Sequence, residues 1–344
     1  MWLVLTTAAL AWELLGPEGK GTGADVPTGT FFAPNSAAWA HARIITDPAA
    51  LGREARSVLR YIDTYGANDP AASADLFGEL GISPERSRAT LEFIARTAEE
   101  NPALLRDPTW LFAHFDRLRW TSAHPGGMVR LTRYLVAQAE GCAVRTAICD
   151  QALWVDPGEP WRSQYTRREV FEGALLSGEV ASHSRPLVWL READVHDALM
   201  QGTTAVRLAD GSTRTFSVDV ANGRAYEPGK KGRAQDRFWY FREVDGPRGW
   251  GIDPADRIPL EAGVAVAGDV YNLGVGRLFL VEAPTHDGRV DLRLAILADT
   301  GGAFQPNLGQ LDWFSGAFPS HAAMYAAWKG LPDRAHVDVL ALRR

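Results

Sequence analysis

The chain has 344 residues, 46% of them hydrophobic and 23% charged, enough apolar content for one large core or two modest ones, and the length favours two domains. A formal net charge of -6 and a pI near 5.8, with no Lys/Arg-rich run, exclude a polyanion such as nucleic acid as the main partner, because neutralising phosphates needs a basic face. Nowhere do 18 or more apolar residues run together, so no transmembrane span is expected.

The first segment, MWLVLTTAALAWELLG, holds a short apolar run ending in Ala-Leu-Ala at residues 9–11. It resembles the apolar stretch and small-residue cleavage site of a signal peptide but lacks the positively charged start; a misassigned start or a first buried helix are the other readings. Residues 12–40, with GPEGKGTGADVPTG, read as a linker or mature N-terminal extension. This stretch is not a phosphate-cradling loop, since that motif needs Gly-Lys-Ser/Thr and Lys20 is followed by Gly21.

From about 49 to 119 the apolar residues recur every three or four positions, and Ser83-Pro84-Glu85 supplies a cap, a Pro for the first turn and an acid beside it, so this part is expected to be helical. After Trp120 the pattern turns to strands: MVRLTRYLVA, then TAVRLADGSTRTFSVDV with Asp210-Gly211 as a hairpin turn. YTRREVFEGALLSGE and LREADVHDALMQG carry helical spacing between them. DRFWYFREV, GVAVAGDVY, RLFLVEAP, VDLRLAILAD and HVDVLALRR make the last third strand-rich, which suggests a small barrel or sandwich. Cys142 and Cys149 either close a small disulfide loop in an oxidising compartment or remain free thiols. The eight His are scattered without paired spacing and neither Cys has a His neighbour, so no metal site and no cofactor is expected.

The stretch LADTGGAFQPNLGQLDWFSG, 297–316, is where the chemistry concentrates. The strand pattern ends in Asp299, and Thr300-Gly301-Gly302 is expected to turn tightly because Gly tolerates positive φ. An aspartic protease would need a second Asp-Thr-Gly to share a proton between two carboxylates, and the chain has none. Glycosidic bond cleavage needs a carboxyl that stays protonated near neutral pH, and apolar surroundings raise an Asp pKa from about 3.9. Asp312, flanked by Trp313 and Phe314, fits that need, and Asp299 is the candidate second carboxylate. Twelve Trp and eight Tyr add flat faces that suit sugar rings, although a Trp more often packs in a core.

ADTGGAF and LDWFSG together resemble the C-terminal three-aspartate domain of the membrane-bound lytic transglycosylase A (MltA) family, and the likeness extends upstream in the family's order. YTRREVFEGALLSGE (165–179), PLVWLREADVHDALMQGTTAVRLADGST (186–213), FDRLRW followed by RLTRYLVAQAEG, and FWYFRE (238–243) each resemble a family segment. The resemblance implies a mainly β protein with a helical N-terminal segment at 41–104. It implies a double-psi β-barrel from 105–140 plus 237–344, with the three-aspartate domain at about 258–316, and an inserted β-rich domain at 141–236. A groove between the two would hold a glycan strand of peptidoglycan.

By the same resemblance Asp312 is the catalytic acid/base of a lytic transglycosylase, protonating the bond between N-acetylmuramic acid and N-acetylglucosamine and then deprotonating the muramoyl C6 hydroxyl to close a 1,6-anhydro ring. Asp299 is the supporting, ionised acid. Thr132, Tyr134, Gln201, Gly202, Gly301, Gly302 and Trp313 are the implied substrate-binding residues, and the protein is expected to be an extracytoplasmic monomer acting on peptidoglycan, with a non-catalytic glycan-binding relative as the alternative. The sequence departs from the family pattern at Arg133, in place of a Gly, and at Ala267, in place of the first Asp, with Asp269 two residues on; Arg133 could obstruct or re-shape the groove.

Overall fold

The computed structural model describes residues 11–344 apart from 17–18, 28–30, 38, 40, 226, 228, 286 and 305. Most of the signal-like apolar run, residues 1–10, lies outside the described residues. The chain divides into two compact units: the first takes the chain up to Tyr134 with Gly249–Ser315 and Trp328–Arg344, the second Leu135–Arg248 with Gly316–Ala327.

In the first unit two helices lie against a mixed sheet. Asp47 accepts a hydrogen bond from the Ala49 N–H and Pro48 opens the helix Pro48–Tyr65; Ser83 does the same for Arg86 at the start of Pro84–Glu100, again with Pro in the first turn. Leu51, Ala55 and Val58 of the first helix and Leu91 and Ile94 of the second are buried, the three-and-four spacing that gives each helix one apolar stripe. The stripes pack on each other and on the strands. Because helices cover one face and the sheet's own side chains the other, Val290–Asp299 is apolar throughout its middle: Leu294, Ala295, Ile296, Leu297 and Ala298 are all inaccessible to solvent.

That strand pairs antiparallel with Leu278–Pro284 and parallel with both Ala265–Ala267 and Ala42–Ile44. Leu278–Pro284 pairs with Val337–Leu342, which pairs with Phe115–Trp120, and Phe32–Pro34 adds on beyond it. On the other side Ala265–Ala267 pairs antiparallel with Gln310–Phe318, whose neighbour is Val129–Glu140. Arg334–Ala335, just ahead of Val337–Leu342, pairs with Arg130 and Val129, so the ladder runs back towards its start.

The second unit has a core of its own, with Leu153, Leu190, Val206, Phe216, Tyr240 and Phe241 inaccessible to solvent. Thr203–Arg207, Thr213–Ala221 and Trp239–Val244 form an antiparallel run around the Asp210-Gly211 turn, and the end of Val129–Glu140 adds in parallel beside Thr203–Arg207. Gln151–Trp154 pairs with Pro186–Leu190. Cys142 and Cys149 form a disulfide.

Several expectations change. Ala11–Leu15 pairs antiparallel with Gly21–Pro27 where a linker is expected, anchored by Asn272, whose side chain accepts from the Trp12 indole and the Leu15 N–H and donates back to the Leu15 carbonyl. In 165–179 the α-helix stops at Phe171, because Gly173 and Gly178 take positive φ and break the ladder. GVAVAGDVY is a strand for only three residues, since Asp269 caps a short helical turn, Val270–Leu273.

Candidate active site

The register of the first unit brings the two aspartates onto one surface. Ala267 is the cross-strand partner of Asp299 on one side and of Asp312 on the other. Residues paired directly across strands share a face, so both carboxylates point the same way, their backbones two strand spacings or roughly 10 Å apart. Ala267 itself brings only a methyl group between them.

Alternation along Val129–Glu140 adds the next residues. Val129, Leu131 and Arg133 are buried, while Arg130 is exposed and Thr132 and Tyr134 are partly buried. Tyr134 donates its hydroxyl to Asp299 Oδ2 at 2.7 Å, and its ring lies 5.3 Å from that of Phe314. The Thr300 N–H donates to Asp299 Oδ1 at 2.8 Å. Thr132 faces Asp312 and accepts from the Gln310 side chain at 2.9 Å.

Burial sets the electrostatics of both acids. It pushes Asp312 up to about 6, with the Thr132 hydroxyl and then the charges of Arg130 and Arg133 pulling it back. Asp312 Oδ1 is buried with no hydrogen-bond partner among the described residues. Asp299, expected to be the ionised acid, is pushed further, to about 7: burial outweighs the lowering by the Tyr134 and Thr300 hydrogen bonds and by Arg257, and Asp312 adds to the rise. The Tyr134 phenol, buried beside both acids, is also raised well above its ordinary value.

A third acid belongs to this cluster and was not read from the sequence. Glu54, on the helix Pro48–Tyr65, is inaccessible to solvent; its Oε2 accepts from the Glu261 N–H at 2.6 Å, and Oε1 has no partner among the described residues. Burial raises its pKa well above the usual carboxylate range, with Glu261 and Asp299 adding to the rise. The signal was present: Glu54 sits between Leu51 and Ala55 on the apolar stripe. Gly249 packs over the end of the Asp299 strand, where a Cβ would come within 2.4 Å of the Ala298 carbonyl and 3.1 Å of Asp299 Cβ.

Other sequence-based expectations fare differently. Trp313 is inaccessible to solvent, because neighbours on a strand point to opposite faces; its ring lies 6.3 Å from that of Trp328 inside the unit. It therefore offers no face to a sugar, and the apolar flank of Asp312 comes from burial of the whole strand. Gly301 and Gly302 are exposed, but neither takes positive φ, so the turn does not depend on left-handed backbone there. Arg133 points away from Thr132 and Tyr134, pairs with Asp333 at 3.1 Å and donates to the Leu331 carbonyl, so it does not stand over the acids.

Gln201 and Gly202 belong to the second unit. Gln201 ends the helix Glu192–Gln201 with Nε2 3.4 Å from His321 Nε2, and Gly202 caps the helix in the left-handed region at φ 78°. Gln201 and His321 line a small cavity with Gln138, Arg191 and Asp194. Among the described residues no group of three or more His, Cys, Asp or Glu is placed to hold a metal ion, and no helix is long and apolar enough to cross a membrane.

No family model matches the sequence, and neither does any curated protein. Solved structures do. E. coli MltA with bound chitohexaose aligns with a TM-score of 0.63 at 18% identity, over 91% of this chain and 95% of that one. A membrane-bound lytic murein transglycosylase from Agrobacterium tumefaciens aligns with a TM-score of 0.59 at 18% identity, covering 86% and 93%. MltA from Neisseria gonorrhoeae gives 0.57 at 13% identity, covering 86% and 88%. The chain has the fold of the MltA lytic transglycosylases.

Proposed function

We propose that the chain is a peptidoglycan lytic transglycosylase in which Asp312 is the single acid and base. The observation that carries this reading is the half-buried Asp312 carboxyl, held near pKa 6 with one oxygen uncommitted, on the strand that matches the family's catalytic segment. Asp312 in its protonated form would give its proton to the glycosidic oxygen as the bond to muramoyl C1 breaks. The muramoyl C6 hydroxyl then attacks C1, and its proton passes to the same carboxylate. The proton count closes with no water consumed, and the nucleophile is delivered by the substrate itself.

Asp299 would support this through Tyr134 and the Thr300 turn, whose exposed glycines leave backbone open to a ligand. Thr132 would orient the Asp312 carboxyl. In this reading the returning ladder of the first unit is a double-psi β-barrel and the second unit an insertion into it, with Gln201 and Gly202 contributing glycan contacts. The disulfide supports an extracytoplasmic location, where the protein would act as a monomer.

Ala267 favours a second reading, a relative that binds glycan without cutting it, because the residue facing both acids carries no carboxyl. One experiment separates the two. Purified sacculi incubated with the protein should release anhydro-muropeptides, each lighter by one water than a reducing product in mass spectrometry, and Asp312→Asn should abolish the release. Sacculi that co-sediment with the protein yet release nothing leave the binding-only reading; reducing muramic ends would mean hydrolysis.

A further inference from the structure

Asp312 has charged neighbours that its proposed task does not call for. A general acid that must hold a proton near neutral pH is hindered by a nearby cation, yet Arg130 lies one alternation along the strand from Thr132, on the face that carries Thr132 and Tyr134, and its charge counts against the proton on Asp312. Arg133, the other cation felt there, is committed to Asp333 and the Leu331 carbonyl on the opposite face. Arg130 makes no side-chain hydrogen bond or ion pair among the described residues, although its N–H is fixed by the Gly309 carbonyl at 2.9 Å.

A second arginine stands beside it. In the antiparallel pair that returns the ladder, Arg130 is the direct cross-strand partner of Arg334, while Ala335 pairs with Val129. Both arginines are exposed, and Arg334 also makes no side-chain bond or ion pair among the described residues. Like charges directly opposite each other destabilise a sheet pair, and here neither side chain has an ion pair among the described residues to offset it. Two forked guanidiniums on one face are well matched to a planar anion.

We propose that Arg130 and Arg334 form a carboxylate-binding pair beside Asp312 that selects glycan bearing an acidic substituent over neutral chitin-type oligosaccharide. This rests on the glycan-cleaving reading above and names the substrate feature it prefers. In peptidoglycan the carboxylate has two sources, the 3-O-lactyl arm of a muramic residue stripped of peptide and the acidic residues of an attached stem peptide. An anion seated there also cancels the charge that works against the proton on Asp312, so binding the acidic substrate would itself ready the acid.

The test is a binding titration at low salt with Asp312→Asn as the common background, so that no ligand is cut. Three probes are used: chitohexaose, peptide-free glycan carrying the lactyl carboxylate, and peptide-bearing glycan of equal length. The parent should favour one or both acidic probes over chitohexaose by about tenfold, the effect of one charge-assisted contact. Arg130→Gln/Arg334→Gln should erase that preference, and Arg130→Lys/Arg334→Lys should restore part of it. The acidic probe that loses affinity identifies the source of the carboxylate. A preference that survives the double Gln change, or a parent with none, overturns the arginine pair while chitohexaose binding upholds the glycan site. Failure of all three probes to bind a folded parent overturns both.

Discussion

Asp299→Asn should remove a pH-dependent loss of stability that the wild-type protein shows between mildly acidic and mildly alkaline solution. Burial raises the native carboxyl from 3.8 to about 7, so the folded state holds the proton more tightly than the unfolded chain does. For an acid raised in this way the stabilisation is complete below the unfolded pKa and is lost as pH rises through the folded one. The rise is about three pH units, and at about 1.4 kcal/mol for each the loss between pH 4 and pH 8 is about 4 kcal/mol. Asparagine copies the shape of the neutral acid and does not titrate, although it exchanges one acceptor for a donor, at about 1 kcal/mol independent of pH. Urea unfolding at pH 4, 5, 6, 7 and 8 measures the difference. The variant should be slightly less stable than wild type at pH 4 and more stable at pH 8. Parallel curves for the two proteins would show that Asp299 ionises in the native state as freely as in the unfolded chain, and the argument from burial would fail.

Cleavage should follow the protonation of Asp312: with the carboxyl at about 6, kcat/KM falls tenfold per pH unit above that value, and a rate unchanged up to pH 8 would contradict an essential acid. Trp313→Ala should cost about 3 to 5 kcal/mol of stability, because the indole is wholly inside the first unit, while glycan affinity per folded molecule stays as in wild type; calorimetry and a sedimentation assay with sacculi give the two numbers. Cys142→Ser/Cys149→Ser should lower the stability of the second unit by about 2 kcal/mol, the loop entropy expected of so short a bridge, read from its Trp fluorescence on unfolding.

Much of this architecture is written locally in the chain. The helix start at Ser83-Pro84-Glu85 and the Asp210-Gly211 hairpin are decided by capping and turn chemistry within a few residues, and both stand where the pattern puts them. VDLRLAILAD, with its apolar run from Leu294 to Ala298, likewise reads as a strand without outside help. What escaped depended on partners far away. Ala11–Leu15 and Gly21–Pro27 look like linker because Gly and Pro crowd the stretch from 16 to 27, and their order comes from each other and from Asn272. Gln310–Phe318 is a strand whose face is set by its pairing with Ala265–Ala267, which is why Trp313 could be mistaken for a flank of Asp312 when alternation sends it inward. The acid pair was legible as two carboxylates near apolar sequence; which is the more strongly raised depends on burial that only the assembled sheet provides.

The place of Val337–Leu342 has a consequence for how the protein is made. This strand is inserted between Leu278–Pro284 and Phe115–Trp120, so the first unit's sheet is missing an interior member until residues 337–342 have emerged from the ribosome. Phe115–Trp120, already beside Phe32–Pro34, must wait through more than 200 residues of synthesis for this second neighbour, whereas Thr203–Arg207 and Thr213–Ala221 of the second unit meet across a turn of a few residues. The unit that carries both aspartates is thus the late one in biogenesis, and its unpaired edges are the surfaces a nascent chain most needs shielded.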